Sequence, residues 1–191
     1  MEHKARSTIM IPTERLSRFL SFLLRHRPED YPLDFDERGF VPVAQLLELV
    51  QSRFPDAEEA DLLNLVEDAD KMRFELENGL VRATYGHSFP VDLEHKRVSP
   101  PSYLYHGTAR DLAENLLHTG LKPRDRQYVH LSQSAEEAFS VGKRRDPDPA
   151  VLIIDAEAAG AQGVHFYQSG PLFLSSEIPA KCLSIWEHPQ A

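Results

Sequence analysis

A chain of 191 residues, 41% of them hydrophobic and carrying a formal net charge of −9, can bury a core as one domain or two small ones. No apolar run approaches the roughly 18 residues that cross a membrane, and "MEHKARSTIMIPTERL" has no long apolar stretch or small-residue cleavage site, so a cytoplasmic protein is expected. Cys182 is the only cysteine and the nine histidines are scattered without an HExxH, which speaks against disulfides, cysteine-bound zinc and metal chemistry in general. The acidic balance argues against a nucleic-acid coat held by bulk charge, while leaving room for a local pocket of cations around one phosphate.

The chain opens with an amphipathic helix. Leu16, Phe19, Leu20, Leu23 and Leu24 recur at the spacing of one buried face. Arg25, His26 and Arg27 follow, and Pro28 stops the helix. Cations suit the negative end of a helix dipole, so this ending is explicable without any function. Next, "LDFDERGFVPV" places apolar residues on both sides of a Glu-Arg-Gly turn and reads as a small hairpin. "VAQLLELV" and "ADLLNLVEDA" read as short helices. "RFELENGLVRATYGHS" reads as two strands around Asn78-Gly79, because a type I′ turn needs positive φ at both central positions. Three helices and a hairpin over residues 1–92 make the pattern of a winged helix.

Residues 93–101, polar and then Pro-Pro, read as a linker. From residue 102 the period changes. "YLYHGT", "YVHLS", "AVLIIDA" and "PLFLSSEIP" are short strand-like runs, with helices in "ARDLAENLLHTG" and "QSAEEAFSVGK". The expected class is therefore α+β. Within "YHGT", Gly107 lets a ligand approach the backbone, and His106 and Thr108 can bind hydroxyls or phosphate oxygens. His130 in "YVHLS" alternates with Val129 and Leu131 and faces away from them. Taken alone, each string is more commonly an ordinary strand-end turn with a satisfied histidine.

Their order says more. "LSRFLSFLLRHRPE", "FDERGFVPVAQLL", "DKMRFEL", "VRATYGHSFPVDL", "PPSYLYHGTA", "GLKPRDRQYVHLS", "VGKRR" and "VLIIDA" occur in sequence. Together they closely resemble the RNA 2′-phosphotransferase (KptA) family over roughly residues 13 to 188. The resemblance implies a winged-helix RNA-binding lobe, then an NAD⁺-binding lobe of ADP-ribosyltransferase type with a split β-sheet. It implies that an internal RNA 2′-phosphate attacks the anomeric carbon of the nicotinamide ribose and expels nicotinamide. The neighbouring ribose hydroxyl then attacks phosphorus, releasing 2′-OH RNA and ADP-ribose 1″,2″-cyclic phosphate. It further implies NAD⁺ as a co-substrate and a tRNA-like RNA, as in tRNA splicing, and it implies no metal.

Carried over motif by motif, the catalytic group is Arg25 and His26 of "LLRH", Arg73 of "DKMRF" and Arg126 of "RDRQYVH", with Arg124 the alternative to Arg126. Planar guanidinium groups match a crowded phosphate with charge-assisted hydrogen bonds. His26 can donate to that phosphate or shuttle a proton. The NAD⁺ side falls to His106, Gly107, Thr108, His130 and Ser132, and Arg144 of "VGKRR" is a candidate for the pyrophosphate. A third, apolar position of the family's His-His-apolar pattern falls on Leu172. Here the chain departs from the family: "SGPLFLSS" has an inserted residue and Phe173 for a usual Trp. Phe40 also replaces a Trp, and Tyr85 a Gln before "GHS". The alternative reading is an ADP-ribosyltransferase acting on nucleic-acid terminal phosphates. A winged-helix binding protein with a vestigial second lobe is disfavoured, because "AEEADLLNLVEDAD" is too acidic for a recognition helix.

Overall fold

The computed structural model describes residues 12–26, 30–66 and 72–187. They form an α+β structure with antiparallel pairing throughout, and its contacts divide into two units between Leu93 and Glu94. Among the described residues no helix is long and apolar enough to cross a membrane.

In the first unit, helix α1 (Thr13–His26) buries the expected stripe Leu16, Phe19, Leu20, Leu23 and Leu24, together with Ser17. Arg27 and Pro28 lie outside the described residues. Strand β1 (Val41–Pro42) leads into α2 (Val43–Arg53), which runs past the expected end at Val50. Helix α3 (Glu59–Val66) follows, and the expected continuation through Ala69 lies outside the described residues. Strands β2 (Phe74–Glu77) and β3 (Leu80–Ala83) then form the hairpin, with Asn78 at φ 50° and Gly79 at φ 77°. Both central residues are left-handed, as the Asn-Gly pair requires. The sheet order is β1-β3-β2, and its inward residues Val41, Phe74, Val81 and Ala83 join the helix stripes in one core.

The hairpin expected in "LDFDERGFVPV" is corrected. Its turn exists, closed by the Asp36 carboxylate accepting from the N–H groups of Arg38 (2.9 Å) and Phe40 (2.8 Å), with Gly39 at φ 79°. The two sides do not pair as strands. Val41–Pro42 pairs with β3 instead. The other side is held by Gln45 of α2, which accepts from the Asp34 N–H at 2.9 Å and donates to the Asp34 carboxylate at 2.8 Å.

In the second unit, β4 (Arg97–Val98) arises within the segment read as a linker. It is followed by β5 (Tyr103–Thr108), α4 (Arg110–Thr119), β6 (Val129–Leu131), α5 (Ala135–Gly142) and β7 (Ala150–Asp155). Then come α6 (Ala156–Ala161), β8 (Phe166–Ser169), β9 (Leu172–Ser175), a 3₁₀ turn at Ala180–Cys182 and β10 (Leu183–Ile185). Helix α6 starts where the Asp155 side chain accepts from the Ala158 N–H at 2.8 Å, a side-chain cap the strand-rich reading passed over. Two sheets result, ordered β10-β7-β5 and β4-β8-β9-β6. Leu104, Leu131, Leu152, Ile154, Phe166 and Phe173 from both meet in one core. An isolated bridge between Tyr105 and Ser132 joins the edge strands β5 and β6, with backbone bonds of 3.0 and 2.8 Å.

Leu20 is fully buried on α1, and a methyl in its place leaves a cavity that the surrounding helices fill only in part. Leu20→Ala should lower the unfolding free energy of the first unit by about 2–5 kcal/mol, measured by urea denaturation.

Candidate active site

In the first unit two candidates, Arg25 and His26, end α1, and the third, Arg73, is bonded to the same helix further back. The last carbonyls of any helix lack intrahelical donors. Here the Arg25 carbonyl accepts from the Ser88 N–H at 2.9 Å, and the Ser88 hydroxyl lies 3.2 Å from it. That hydroxyl is also 3.2 Å from His26 Nδ1. The Arg25 guanidinium stacks on Tyr85, 4.5 Å from the ring centroid. The "YGHS" segment thus holds the helix end that carries both residues. Arg73 is attached elsewhere on the same helix: its Nη1 donates to the Ser17 hydroxyl at 2.8 Å. Ser17 sits eight residues before Arg25, about 12 Å along the axis at the usual rise per residue. Arg73 therefore also satisfies a buried hydroxyl.

In the second unit, alternation along β5 sends Leu104, His106 and Thr108 to one face and Tyr105 and Gly107 to the other. His106 Nδ1 lies 3.0 Å from the His130 carbonyl oxygen on β6. A carbonyl can only accept, so Nδ1 carries the proton and the neutral ring has its acceptor at Nε2. Burial holds the imidazole below its usual range against the opposing pull of that hydrogen bond; the charges of Arg145 and Arg124 depress it further. A neutral acceptor, with the buried hydroxyl-bearing side chains of Thr108 and Ser132 on the same paired strands, suits the hydroxyls of a nucleotide ribose.

Gly107 is explained by packing. A Cβ there would run into the Ala138 carbonyl oxygen of α5 and lie 2.9 Å from the Gly142 nitrogen. Its missing side chain serves the approach of α5.

His130 faces away from the core, where Val129 and Leu131 point. Cross-strand register sets Arg97, Tyr167, Leu174 and His130 in one row across β4-β8-β9-β6. Tyr128 and His95 add to that face, with ring centroids 5.8 Å from Tyr128 to Tyr167 and 6.0 Å from His95 to Tyr128. Leu174, not Leu172, is the direct partner of His130, and Leu172 lies next along the same face. Arg126 is half-buried in the bend before β6, whereas Arg124 is exposed. Arg144 is exposed in the turn after α5, and its neighbour Arg145 is the one whose charge bears on His106. Cys182 is buried and burial raises its thiol, which makes it a poor nucleophile. Among the described residues no group of three His, Cys, Asp or Glu could hold a metal ion.

A family model described as RNA 2′-phosphotransferase, Tpt1 / KptA family, matches residues 12–174. The chain belongs to that family. A probable RNA 2′-phosphotransferase of Acetivibrio thermocellus is 40% identical over 176 residues, covering 91% of this chain and 97% of the relative. One of Agrobacterium fabrum is 41% identical over 172 residues, covering 88% and 92%. One of Pyrococcus furiosus is 37% identical over 171 residues, covering 89% and 93%.

Against this family's pattern the chain's departures now have places. Phe40 is buried, with the guanidinium groups of Arg82 at 4.5 Å and Arg38 at 5.0 Å from its ring. Phe173 points into the core, on the side of β9 opposite to His130's partner Leu174. Tyr85 alone stands at the candidate site, on Arg25. Sequence reasoning missed Ser17, Ser88 and Arg145. Ser88 belonged to a motif already singled out, and Arg145 sits beside one of the candidates; Ser17 left no signal except a polar residue on an apolar helix stripe.

Two outcomes follow from the second unit. Gly107→Ala should destabilise that unit by about 1–3 kcal/mol or more through overpacking, seen as a lowered thermal midpoint before any ligand is added. For His106, a folded-state pKa below the unfolded value means the unfolded chain binds the proton more readily. Its contribution to stability is then complete above about pH 6.5 and is lost as pH falls from there through the folded value. Unfolding midpoints of the parent should therefore drop between about pH 7.5 and pH 5.5, and those of His106→Gln should drop less.

Proposed function

We propose that the chain is an NAD⁺-dependent RNA 2′-phosphotransferase that removes an internal 2′-phosphate from a tRNA-like RNA. The observation that carries this reading is the family match over residues 12–174, which takes in both units and every residue given a role. What supports the first unit as a winged-helix RNA-binding lobe is its three helices and its three-stranded antiparallel sheet, in which β1, between α1 and α2, pairs with the β2–β3 hairpin that follows α3. What supports the second as an ADP-ribosyltransferase-type lobe is the pair of antiparallel sheets joined at the β5–β6 bridge.

The reaction consumes NAD⁺ as a co-substrate. In the first step the RNA 2′-phosphate displaces nicotinamide from the anomeric carbon. In the second, the neighbouring ribose hydroxyl attacks phosphorus and the RNA 2′-oxygen leaves. His106 accepts from a ribose hydroxyl through Nε2, with Thr108, His130 and Ser132 beside it, and Arg144 or Arg145 meets the pyrophosphate. Arg25, Arg73 and Arg126 bind the phosphate. Negative charge grows on the phosphoryl oxygens in the second step, so fixed guanidinium groups stabilise that transition state above the ground state. His26 moves the proton. The reaction is placed in the cytoplasm.

The test is incubation with a 2′-phosphorylated oligonucleotide, NAD⁺ and a chelator, read by mass spectrometry. Loss of the RNA phosphate with release of nicotinamide and ADP-ribose cyclic phosphate is expected. No nicotinamide release overturns the reading; release with ADP-ribose left on the RNA favours the ADP-ribosyltransferase alternative. Arg126→Lys keeps the charge and loses the planar fork, so it should cost about 2–4 kcal/mol of transition-state stabilisation, or roughly 30- to 1,000-fold in rate. Arg124→Lys should change little, and a reversal of the two effects would move the role to Arg124.

A further inference from the structure

The end of α1 fixes more than the place of His26. The Ser88 hydroxyl has one proton and two lone pairs, and it lies 3.2 Å from two different groups, the Arg25 carbonyl oxygen and His26 Nδ1. The carbonyl has no proton to give. Both contacts are hydrogen bonds at once in only one arrangement: the hydroxyl donates to the carbonyl and accepts from Nδ1–H. The Ser88 N–H, bonded to the same carbonyl at 2.9 Å, holds the hydroxyl at that distance, although Ser88 lies 62 residues along the chain from His26.

We propose that Ser88 is a positioning residue that keeps His26 in its Nδ1–H form, so that Nε2 is the nitrogen that takes up and releases the proton in the reaction. The tautomer follows from the hydrogen bonds alone; its chemical use rests on the function proposed above. In the second step the attacking ribose hydroxyl gives its proton to Nε2 as its oxygen bonds to phosphorus. The bond from phosphorus to the RNA 2′-oxygen breaks, and that oxygen takes a proton from water. The hydroxide so formed is neutralised by the Nε2 proton, which returns the ring to its starting state. Nδ1 keeps its proton throughout, so the ring passes between neutral and cationic forms without turning and without breaking its bond to Ser88.

The experiment uses the full chain labelled with ¹⁵N-histidine. Long-range ¹H–¹⁵N spectra, at a pH where the ring is neutral, report which nitrogen of His26 carries the proton, its signals being assigned by their loss in His26→Gln. The expected result is Nδ1–H in the parent, a shift toward Nε2–H in Ser88→Ala, and recovery of Nδ1–H in Ser88→Thr. In single turnovers on 2′-phosphorylated RNA, Ser88→Ala should slow the second step by about 10- to 100-fold and accumulate ADP-ribosylated RNA, with KM for the RNA little changed and Ser88→Thr restoring the rate. An Nε2–H ring in the parent, or a tautomer indifferent to Ser88→Ala, overturns the proposal. So does a shifted tautomer with an unchanged second step. Should the parent itself fail to act on the RNA, the proposed function falls, while the spectrum still decides the tautomer.

Discussion

The second unit depends on how two edge strands are brought together without forming a continuous sheet. An edge strand presents backbone donors and acceptors that need partners. Between β5 and β6 a single bridge, Tyr105 with Ser132, supplies the backbone pairing. One position further along β5, the His106 imidazole takes the His130 carbonyl oxygen. A side chain stands there in place of a ladder hydrogen bond, and the consequence is chemical. The bond assigns the imidazole proton to Nδ1, burial keeps the ring neutral, and an acceptor is left at Nε2. The same joint constrains the other face of β5. Helix α5 comes so close that residue 107 can carry no side chain. Strand pairing, helix packing and the protonation state of one histidine are thus parts of one arrangement.

The first unit solves a related problem at the end of a helix. Anions usually bind at helix N-termini, where backbone N–H groups and the positive end of the dipole favour them. A phosphate at the C-terminus of α1 would meet carbonyl oxygens and the opposite partial charge, equivalent to about half an elementary charge. The proposed site answers this in two ways. Ser88 occupies the Arg25 carbonyl with donors. Arg25 contributes a full positive charge beside it, larger than the dipole's partial charge. Tyr85 restrains that guanidinium by lying under it. A phosphate reached through side chains rather than backbone depends on how those side chains are held, which is why a serine from a distant segment matters to the chemistry of His26.

What the sequence determined by itself was whatever depends on close neighbours along the chain. The stripe of α1 follows from spacing of three and four, and the β2–β3 turn from the tolerance of Asn78 and Gly79 for positive φ. The strand runs from Tyr103 to Thr108 and from Ala150 to Asp155 follow from composition, and the ordered motifs led to the family. The tertiary structure decided what depends on partners far away in sequence. Residues 33–35 flank a genuine turn yet form no strand, and Asp34 is held by Gln45 of α2 instead. Gly107, read in the sequence as room for a ligand, also makes room for α5. Arg145 rather than Arg144 bears on His106, because the turn after α5 separates two adjacent arginines in space. Arg73 is tied to Ser17 and His26 to Ser88, across 56 and 62 residues of chain. Periodicity and turn chemistry act over a few residues and can be read in a line of letters. A hydrogen bond between distant side chains is specified by the packing of everything between them, and it becomes visible only when the chain has folded.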